Sequence, residues 1–372
     1  MSVQAVLEQF HAAASNPKGR LDTYLANGEK VVLVAPVYTP EEIIHAMGLV
    51  PMGVWGADMA LSRSKEYFPA FICSIMQSVL ELGMAGAYEG VSAIVIPSLC
   101  DSLKCLGQNW KYAVPSIPFI PMTYPQNRAN EVGRAFTKAG CERVIADLER
   151  ATGAKFDQEK LAASIAVYNE HNAAMRDLDG ALAAHPEITD AQRCDIYKSA
   201  WFMRKEEHTA LVRSLLAELD AAGGGPEKIK VLVSGVLFDS PALLAALDEL
   251  GFQTAADDVA ADSRQYRTDA DPSLPPLEGL SEKFSRMGCC SVLYDVDKKR
   301  VDLIVETAKR RNVKGVIVAL AKFCDPEEFD YPLIKKACEK AGLPVVLIET
   351  DRQTVNYEQA KTQLEAFRDI LA

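Results

Sequence analysis

GVIVALAKFCD, residues 315–325, sets a run of strand-forming residues before a short bend and then a thiol followed by a carboxylate, Cys324 and Asp325. SAIVIPSLCD, residues 92–101, repeats the plan with Cys100 and Asp101. Short β-branched runs bounded by turn residues read as strands buried on both faces of a parallel sheet. Ligands in such sheets gather beyond the carboxyl ends of the strands. Both Cys-Asp pairs therefore stand where an α/β protein holds its ligand.

Working outward, VVLVAPV (31–37) leads into Thr39-Pro40-Glu41-Glu42, where Thr caps a helix, Pro takes its first position and Glu suits its first turn; the helix runs through Met47. VPMGVWG (50–56), VSAIVIP (91–97) and PFIPMTYP (118–125) complete four strands, behind an amphipathic first helix from Val3 to Ala14. From about 129 to 220 the text is rich in Ala, Leu, Glu, Lys and Arg at helical spacing, and AAGGGPEK (221–228) closes it as a linker. KIKVLVSGV (228–236), a helix from Pro241 to Leu250, FQTAADD (252–258), GVIVAL (315–320), PVVLIETD (344–351) and a last helix from Tyr357 to Leu371 then repeat the alternation. The expected fold class is α/β. Two Rossmann-like (flavodoxin-like) parallel-sheet domains, residues 1–128 and 226–372, are joined by a helical region, 129–225, with the ligand site in the cleft between them.

At 372 residues, 49% hydrophobic and 24% charged, the composition is that of a multidomain globular protein. Its 51 acidic and 40 basic residues leave a net charge of −11, which argues against a nucleic-acid backbone or an anionic membrane as partner. No apolar run approaches the ~20 residues of a membrane span. Glu8 and His11 interrupt the start of the chain, so no secretory signal is read and a cytoplasmic location is expected.

Nine cysteines without a CxxC indicate neither a disulfide framework nor a zinc ribbon. A buried packing thiol is the default for each, so position has to decide. Cys100 and Cys324 follow strands. Cys73, in YFPAFICSIMQSVLELG, is expected one turn into a helix begun by Pro69, near the positive end of its dipole, where a thiolate is favoured. Three thiolates facing one interdomain cleft would be soft ligands for zinc or an iron–sulfur cluster. Zinc wants a fourth ligand, and the histidines supply none: His45 reads as packed or satisfied, while His171, His185 and His208 read as solvated on the helical region. An open corner suits a [4Fe–4S] cluster better. Cys105 competes for the role of Cys100, Cys289 and Cys290 are adjacent and poorly placed to share a cluster, and Cys141, Cys194 and Cys338 read as packing residues.

There is no GxGxxG after the first strand, no GxxxxGK[ST] and no GxSxG, so dinucleotide binding, nucleotide hydrolysis and serine-hydrolase chemistry lack support. Asp257-Asp258 and Pro326-Glu327-Glu328 read as turns or helix starts. MGVW (52–55) reads as core first and as a pocket wall second.

YTPEEIIHAMGLVPMGVWG, SKEYFPAFICSIMQ, IPSLCDSLKCLGQNW, YPQNR, FMRKEEHT and KFCDPEEFDYP, in that order across nearly the whole chain, resemble the β subunits of the 2-hydroxyacyl-CoA dehydratases. That family includes the lactoyl-CoA, 2-hydroxyisocaproyl-CoA and 2-hydroxyglutaryl-CoA enzymes and, more remotely, benzoyl-CoA reductase. The resemblance implies a lyase active as a heterodimer with a homologous α subunit, each subunit holding a [4Fe–4S] cluster on three cysteines, here Cys73, Cys100 and Cys324. It also implies an ATP-dependent iron–sulfur activator that injects one electron, and removal of water from an (R)-2-hydroxyacyl-CoA through a ketyl radical to give the 2-enoyl-CoA. Acyl-CoA would sit mainly on the α subunit, in keeping with the anionic charge of this chain, whose own cluster would act as a relay. A flavin has no support in the sequence. MGVW leans toward a small or branched aliphatic acyl group. Two alternatives stand beside this reading: a subunit of a benzoyl-CoA-type reductase, and a non-redox, two-domain Rossmann-like binding protein whose cysteines only pack.

Overall fold

The computed structural model describes residues 2–222, 224–354 and 356–371; Gly223, in the middle of the glycine-rich linker read from the sequence, lies outside them. Two parallel sheets organise the chain. The first holds β1 (Val31–Val34), β2 (Val50–Gly53), β3 (Ala93–Pro97) and β4 (Phe119–Met122) in the spatial order β2-β1-β3-β4. The second holds β5 (Ile229–Gly235), β6 (Phe252–Val259), β7 (Gly315–Ala321) and β8 (Val345–Thr350) in the order β6-β5-β7-β8. The two orders are one plan used twice. In each, strand order reverses between the first and third strands, the switch point at which α/β sheets bind ligands. Cys100 follows β3 and Cys324 follows β7, so each lies beside its sheet's switch point.

The strands form where the sequence places them because they are buried on both faces: every residue of β1, β3 and β7 is buried. Helices α1 (Val3–Ser15), α2 (Pro17–Ala26), α3 (Glu41–Ala46), α4 (Ser74–Met84) and α5 (Asp101–Ala113) accompany the first sheet in sequence. Four helices follow, α6 (Glu131–Thr152), α7 (Gln158–Leu182), the short α8 (Asp190–Ser199) and α9 (Lys205–Ala222). The first three start with capping side chains: Asn130 accepts from Gly133, Asp157 from Glu159 and Lys160, and Thr189 with Gln192 closes a capping box. Helix α1 packs on α8 and α9 through Phe10, Tyr197, Val212 and Leu215. Through the second half the chain adds α10 (Pro241–Glu249), α11 (Pro276–Arg286), α12 (Lys299–Arg310), α13 (Asp325–Lys340) and α14 (Glu358–Leu371), of which α11 packs on α6 and α7.

One hydrophobic cluster runs through both sheets. It takes Leu33, Ile94 and Ile96 from the first and Val231, Val233, Ile317 and Ala319 from the second, together with Trp55, Trp201, Cys73 and Cys324. Gly53, at the end of β2, receives the Trp201 ring so closely that an added Cβ would lie 2.7 Å from it, and its N–H donates to the Trp201 carbonyl at 2.8 Å. Two helix starts differ from the sequence reading. The Thr39 hydroxyl donates to the Ala35 carbonyl instead of capping, and α3 opens at Glu41 with Pro40 before it. Pro69 opens no helix. Gln77 Nε2 donates to the Ile72 carbonyl and the N–H groups of Met76 and Gln77 bond the Cys73 carbonyl, so α4 begins at Ser74 and Cys73 is its cap residue.

Candidate functional site

The three cysteines occupy equivalent positions on three helices. Cys73 is the N-cap residue of α4, Cys100 of α5 and Cys324 of α13. After β3 the chain passes Ser98 and Leu99 and turns into α5 at Cys100. After β7 it passes Lys322 and Phe323, and Phe323 takes the left-handed conformation, φ 63°, an uncommon setting for a bulky residue. The Cys324 N–H closes that turn on the Ala321 carbonyl at 2.9 Å. All three thiols line one cavity of about 240 Å³, whose wall also includes Val37, Trp55, Met76, Leu99, Val292 and Phe323. MGVW thus contributes on both counts: Met52 is buried in the core, and Trp55 forms cavity wall while packing edge-on against Trp201.

Electrostatics at the cavity pull in two directions. Burial raises all three thiols above the ordinary range for cysteine. Cys100 is pushed up to about 12, by burial first and by the neighbouring Cys73 as well, and Cys324 is raised by burial, then by Cys73 and Glu327. Opposing this, backbone N–H groups at the three helix starts favour the sulfur anions: Ile75 and Met76 at Cys73, Ser102 and Leu103 at Cys100, Glu327 at Cys324. Left alone, the thiols hold their protons. A soft cationic centre would supply the charge that three buried thiolates lack, and N–H groups directed at sulfur are the usual second shell of an iron–sulfur site. The donor set therefore fits a metal–sulfur cluster held by three cysteines. Among the described residues no group of three or more His, Cys, Asp or Glu side chains is arranged to hold a metal ion, and thiols spread round a cavity wall are not a mononuclear site.

The remaining cysteines lie elsewhere. Cys105 is exposed on α5 and does not line the cavity, Cys141, Cys194 and Cys338 are buried in helices, and Cys289 and Cys290 fall in the loop before α12. His45 is satisfied, with Nδ1 2.8 Å from Ser164 Oγ and Nε2 3.0 Å from Glu206. The solvated reading of His171 and His208 is overturned: they are 1% and 0% exposed and hydrogen-bonded to each other, because α7 and α9 pack these faces together.

Two arrays of buried charge support the cavity, and the sequence reading missed both. Asp257 and Asp258 form no turn; they belong to β6 and are buried. Asp258 accepts from Arg264 at 3.0 Å, Arg267 at 3.0 Å and Arg300 at 2.8 Å; these guanidinium groups hold its carboxyl well below the usual range despite burial. Glu327 sits in the first turn of α13, as its position suggested, yet it too is buried, accepting from Arg264 at 3.1 Å, Arg300 at 2.6 Å and Ser291 at 2.7 Å. Because the Glu327 N–H bonds the Cys324 carbonyl at 2.9 Å, this network fixes the helix start that presents Cys324. The second array centres on Arg352, just past β8. Its guanidinium binds Asp58 at 2.8 Å, Asp239 at 2.9 Å and the Trp55 carbonyl at 3.1 Å, while its N–H donates to Ser74 Oγ at 3.0 Å. One buried arginine of the second α/β half thereby ties down the Trp55 and α4 segments of the first.

A family model described as "2-hydroxyglutaryl-CoA dehydratase, D-component" matches residues 36–371. The chain is 45% identical over 365 residues to the (R)-phenyllactyl-CoA dehydratase beta subunit of Clostridium sporogenes, covering 97% of both chains. It is 40% identical over 374 residues to the lactoyl-CoA dehydratase subunit beta of Anaerotignum propionicum, covering 99% of both. Identity to the (R)-2-hydroxyglutaryl-CoA dehydratase subunit beta of Acidaminococcus fermentans is 37% over 379 residues, covering 100% of both.

Proposed function

The chain belongs to the family of the 2-hydroxyglutaryl-CoA dehydratase D-components, and from that premise we propose that it is the β subunit of a heterodimeric (R)-2-hydroxyacyl-CoA dehydratase, carrying a [4Fe–4S] cluster on Cys73, Cys100 and Cys324. The observation that carries the cluster assignment is the placement of these three thiols, each at the N-cap position of a helix, on the wall of one cavity. The reaction eliminates the 2-hydroxyl and a hydrogen from C3 to give the 2-enoyl thioester. Hydrogen at C3 is not activated by the carbonyl, so a side-chain base at neutral pH does not remove it unaided. A bound cluster supplies the one-electron chemistry that side chains lack.

The residues of this chain bind and position. Cys73, Cys100 and Cys324 are the anchoring ligands, and the N–H groups beside them favour the anionic sulfurs. Trp55, Val37, Met76 and Phe323 give the cavity an apolar wall that limits water. The Arg264, Arg300 and Glu327 network holds the start of α13, and Arg352 holds the start of α4. With a net charge of −11, the chain is a poor sole host for the phosphates of coenzyme A, so a homologous α subunit takes most of the acyl-CoA and an ATP-dependent activator delivers the electron. The test is iron and acid-labile sulfide analysis of the anaerobically purified heterodimer. Equal amounts of both are expected, with about half, this chain's share, lost when Cys100 becomes Ser; iron and sulfide unchanged in that variant overturn the assignment.

A further inference from the structure

Three of the motif stretches play little part in the thiol cavity: YTPEEIIH (38–45), YPQNR (124–128) and FMRKEEHT (202–209). They converge on a second cavity, about 70 Å³, with room for roughly five water-sized groups. Tyr38, Glu41, Glu42, Tyr124 and Lys205 line it from those stretches, and His171 and Lys283 join from α7 and α11. It lies at the carboxyl end of β1 and backs onto the thiol cavity. Pro36 and Val37 line one cavity and Tyr38 and Thr39 the other, while Trp55 of the first packs against Trp201 of the second with ring centroids 5.2 Å apart.

The hydrogen bonds fix the state of His171. His208 Nε2 lies 2.9 Å from the Ile196 carbonyl, which can only accept, so that nitrogen carries hydrogen. Burial first, and the charge of Lys205 with it, keeps both imidazoles neutral. His208 Nδ1 is then a lone pair accepting the Nε2–H of His171 at 2.9 Å. His171 Nδ1 is left as an unprotonated acceptor on a side chain 1% exposed, and no donor among the described residues is seated on it. An acceptor with no protein donor, on a side chain that lines a cavity, points to a ligand that donates.

Charge narrows the ligand further. Lys205 lies 3.2 Å from Glu41, and Lys283 lies 2.6 Å from Glu42, so the cavity holds two cations and two anions in matched pairs. Its floor is apolar: Trp201, Leu280, Phe284 and Met287. A ligand with net charge would leave one charge unmatched in a poorly solvated place. A zwitterion adds none. The cavity offers an ammonium the acceptors Glu41, Glu42 and His171 Nδ1, and offers a carboxylate the cations Lys205 and Lys283. We propose that this cavity is a second ligand site, for a small zwitterion of the α-amino-acid class.

The proposal goes beyond the dehydratase reading and does not depend on it, since binding is measured without turnover. The anaerobically purified heterodimer is titrated with alanine, with lactate, which lacks the ammonium, and with ethylamine, which lacks the carboxylate, following heat and tryptophan fluorescence. Alanine is expected to bind saturably, with lactate and ethylamine weaker by roughly tenfold or more, the loss of one charge-assisted contact. Lys283→Met at the cavity edge should weaken alanine by roughly the same factor, and His171→Phe should abolish binding while leaving the iron content unchanged. Absence of saturable alanine binding, equal binding of alanine and lactate, or an alanine affinity unchanged in both variants overturns the proposal.

Discussion

Replacing Arg352 with Met tests how much one buried charge behind the thiol cavity contributes to stability. Burial raises the Asp239 carboxyl, yet the charges of Arg352 and Lys198 bring it from the ordinary 3.8 down to about 2. A displacement of that size corresponds to about 2.4 kcal/mol of stability at neutral pH. Arg352 supplies the larger part and also binds Asp58 and the Trp55 carbonyl. Breaking a buried pair from one side costs roughly 3–5 kcal/mol because the other charge stays behind. Lys198, 3.0 Å from Asp239, softens that loss, so Arg352→Met should destabilise by about 3 kcal/mol at pH 7.

The sign against pH follows from the depressed pKa. Stability from Asp239 is fully present above about pH 4 and is lost as the pH falls toward 2, when the native carboxyl takes up its proton. The gap between parent and variant should therefore shrink over that interval. Urea unfolding followed by circular dichroism, from pH 7 down to the acid limit, measures both quantities. A double-mutant cycle with Asp239→Asn isolates the pair itself. A loss under about 1 kcal/mol at pH 7, or a gap that stays constant between pH 4 and 2, would refute the reasoning.

Serine at Cys73, Cys100 or Cys324 should lower iron content, whereas serine at Cys141, Cys194 or Cys338 should leave it unchanged; iron lost with Cys105→Ser but kept with Cys100→Ser would move the second ligand to Cys105. Burial, then the charge of Asp257, raises Asp262 from 3.8 to about 8. The native carboxyl keeps a proton that the unfolded chain releases near pH 4, so stability falls as pH rises from about 4 to 8. Asp262→Asn should flatten that slope in thermal melts. Cys324→Ser should block ATP-dependent activation while acyl-CoA binding to the heterodimer, read by calorimetry, stays nearly intact. In the parent, one activation should support many turnovers; a fixed demand for ATP and reductant in each cycle would mark a net reductase.

Most of the eight strands were legible because they are short apolar runs between turn residues, with β6 and its polar Gln253, Thr254, Asp257 and Asp258 the exception, and the repeated plan was legible from the alternation of strands and helices in both halves. Cys100 and Cys324 could be placed from their distance beyond a strand. Cys73 was placed less well, since Pro69 resembles a helix start and the bonds of Gln77 to Ile72 and of Met76 and Gln77 to Cys73 put the start later. The Arg264, Asp258, Glu327 and Arg300 network left no local signature. Its members are brought together by β6, the 3-10 turn Ser263–Tyr266, α12 and α13, and many of its contacts join residues more than 25 positions apart. His171 and His208 were misread for a related reason: in helical text rich in charge, a histidine looks solvated until the partner helix is known. Cys-Asp repeats announce a site through spacing along the chain, but the charges that hold the site are arranged in space alone.

The carboxylate beside each strand-end thiol has its own explanation. At a helix N-cap, a Ser, Thr, Asn or Asp side chain accepts a backbone N–H and contributes about 1 kcal/mol. Cys73, Cys100 and Cys324 all stand at that position, and none makes a side-chain cap hydrogen bond. Three helices thus forgo roughly 3 kcal/mol of capping so that three sulfurs face one cavity. Asp101 and Asp325, the first residues of α5 and α13, are exposed and recover part of it, since a negative charge in the first turn contributes about 0.3–1 kcal/mol. A protein that needed these positions only for folding would gain by placing serine there. Serine replacements in the metal-free chain should accordingly melt no lower than the parent, and up to about 1 kcal/mol per site higher, while failing to retain iron. If the metal-free serine variants are instead destabilised, the thiols are packing residues after all, and the cavity they line loses its claim to a cluster.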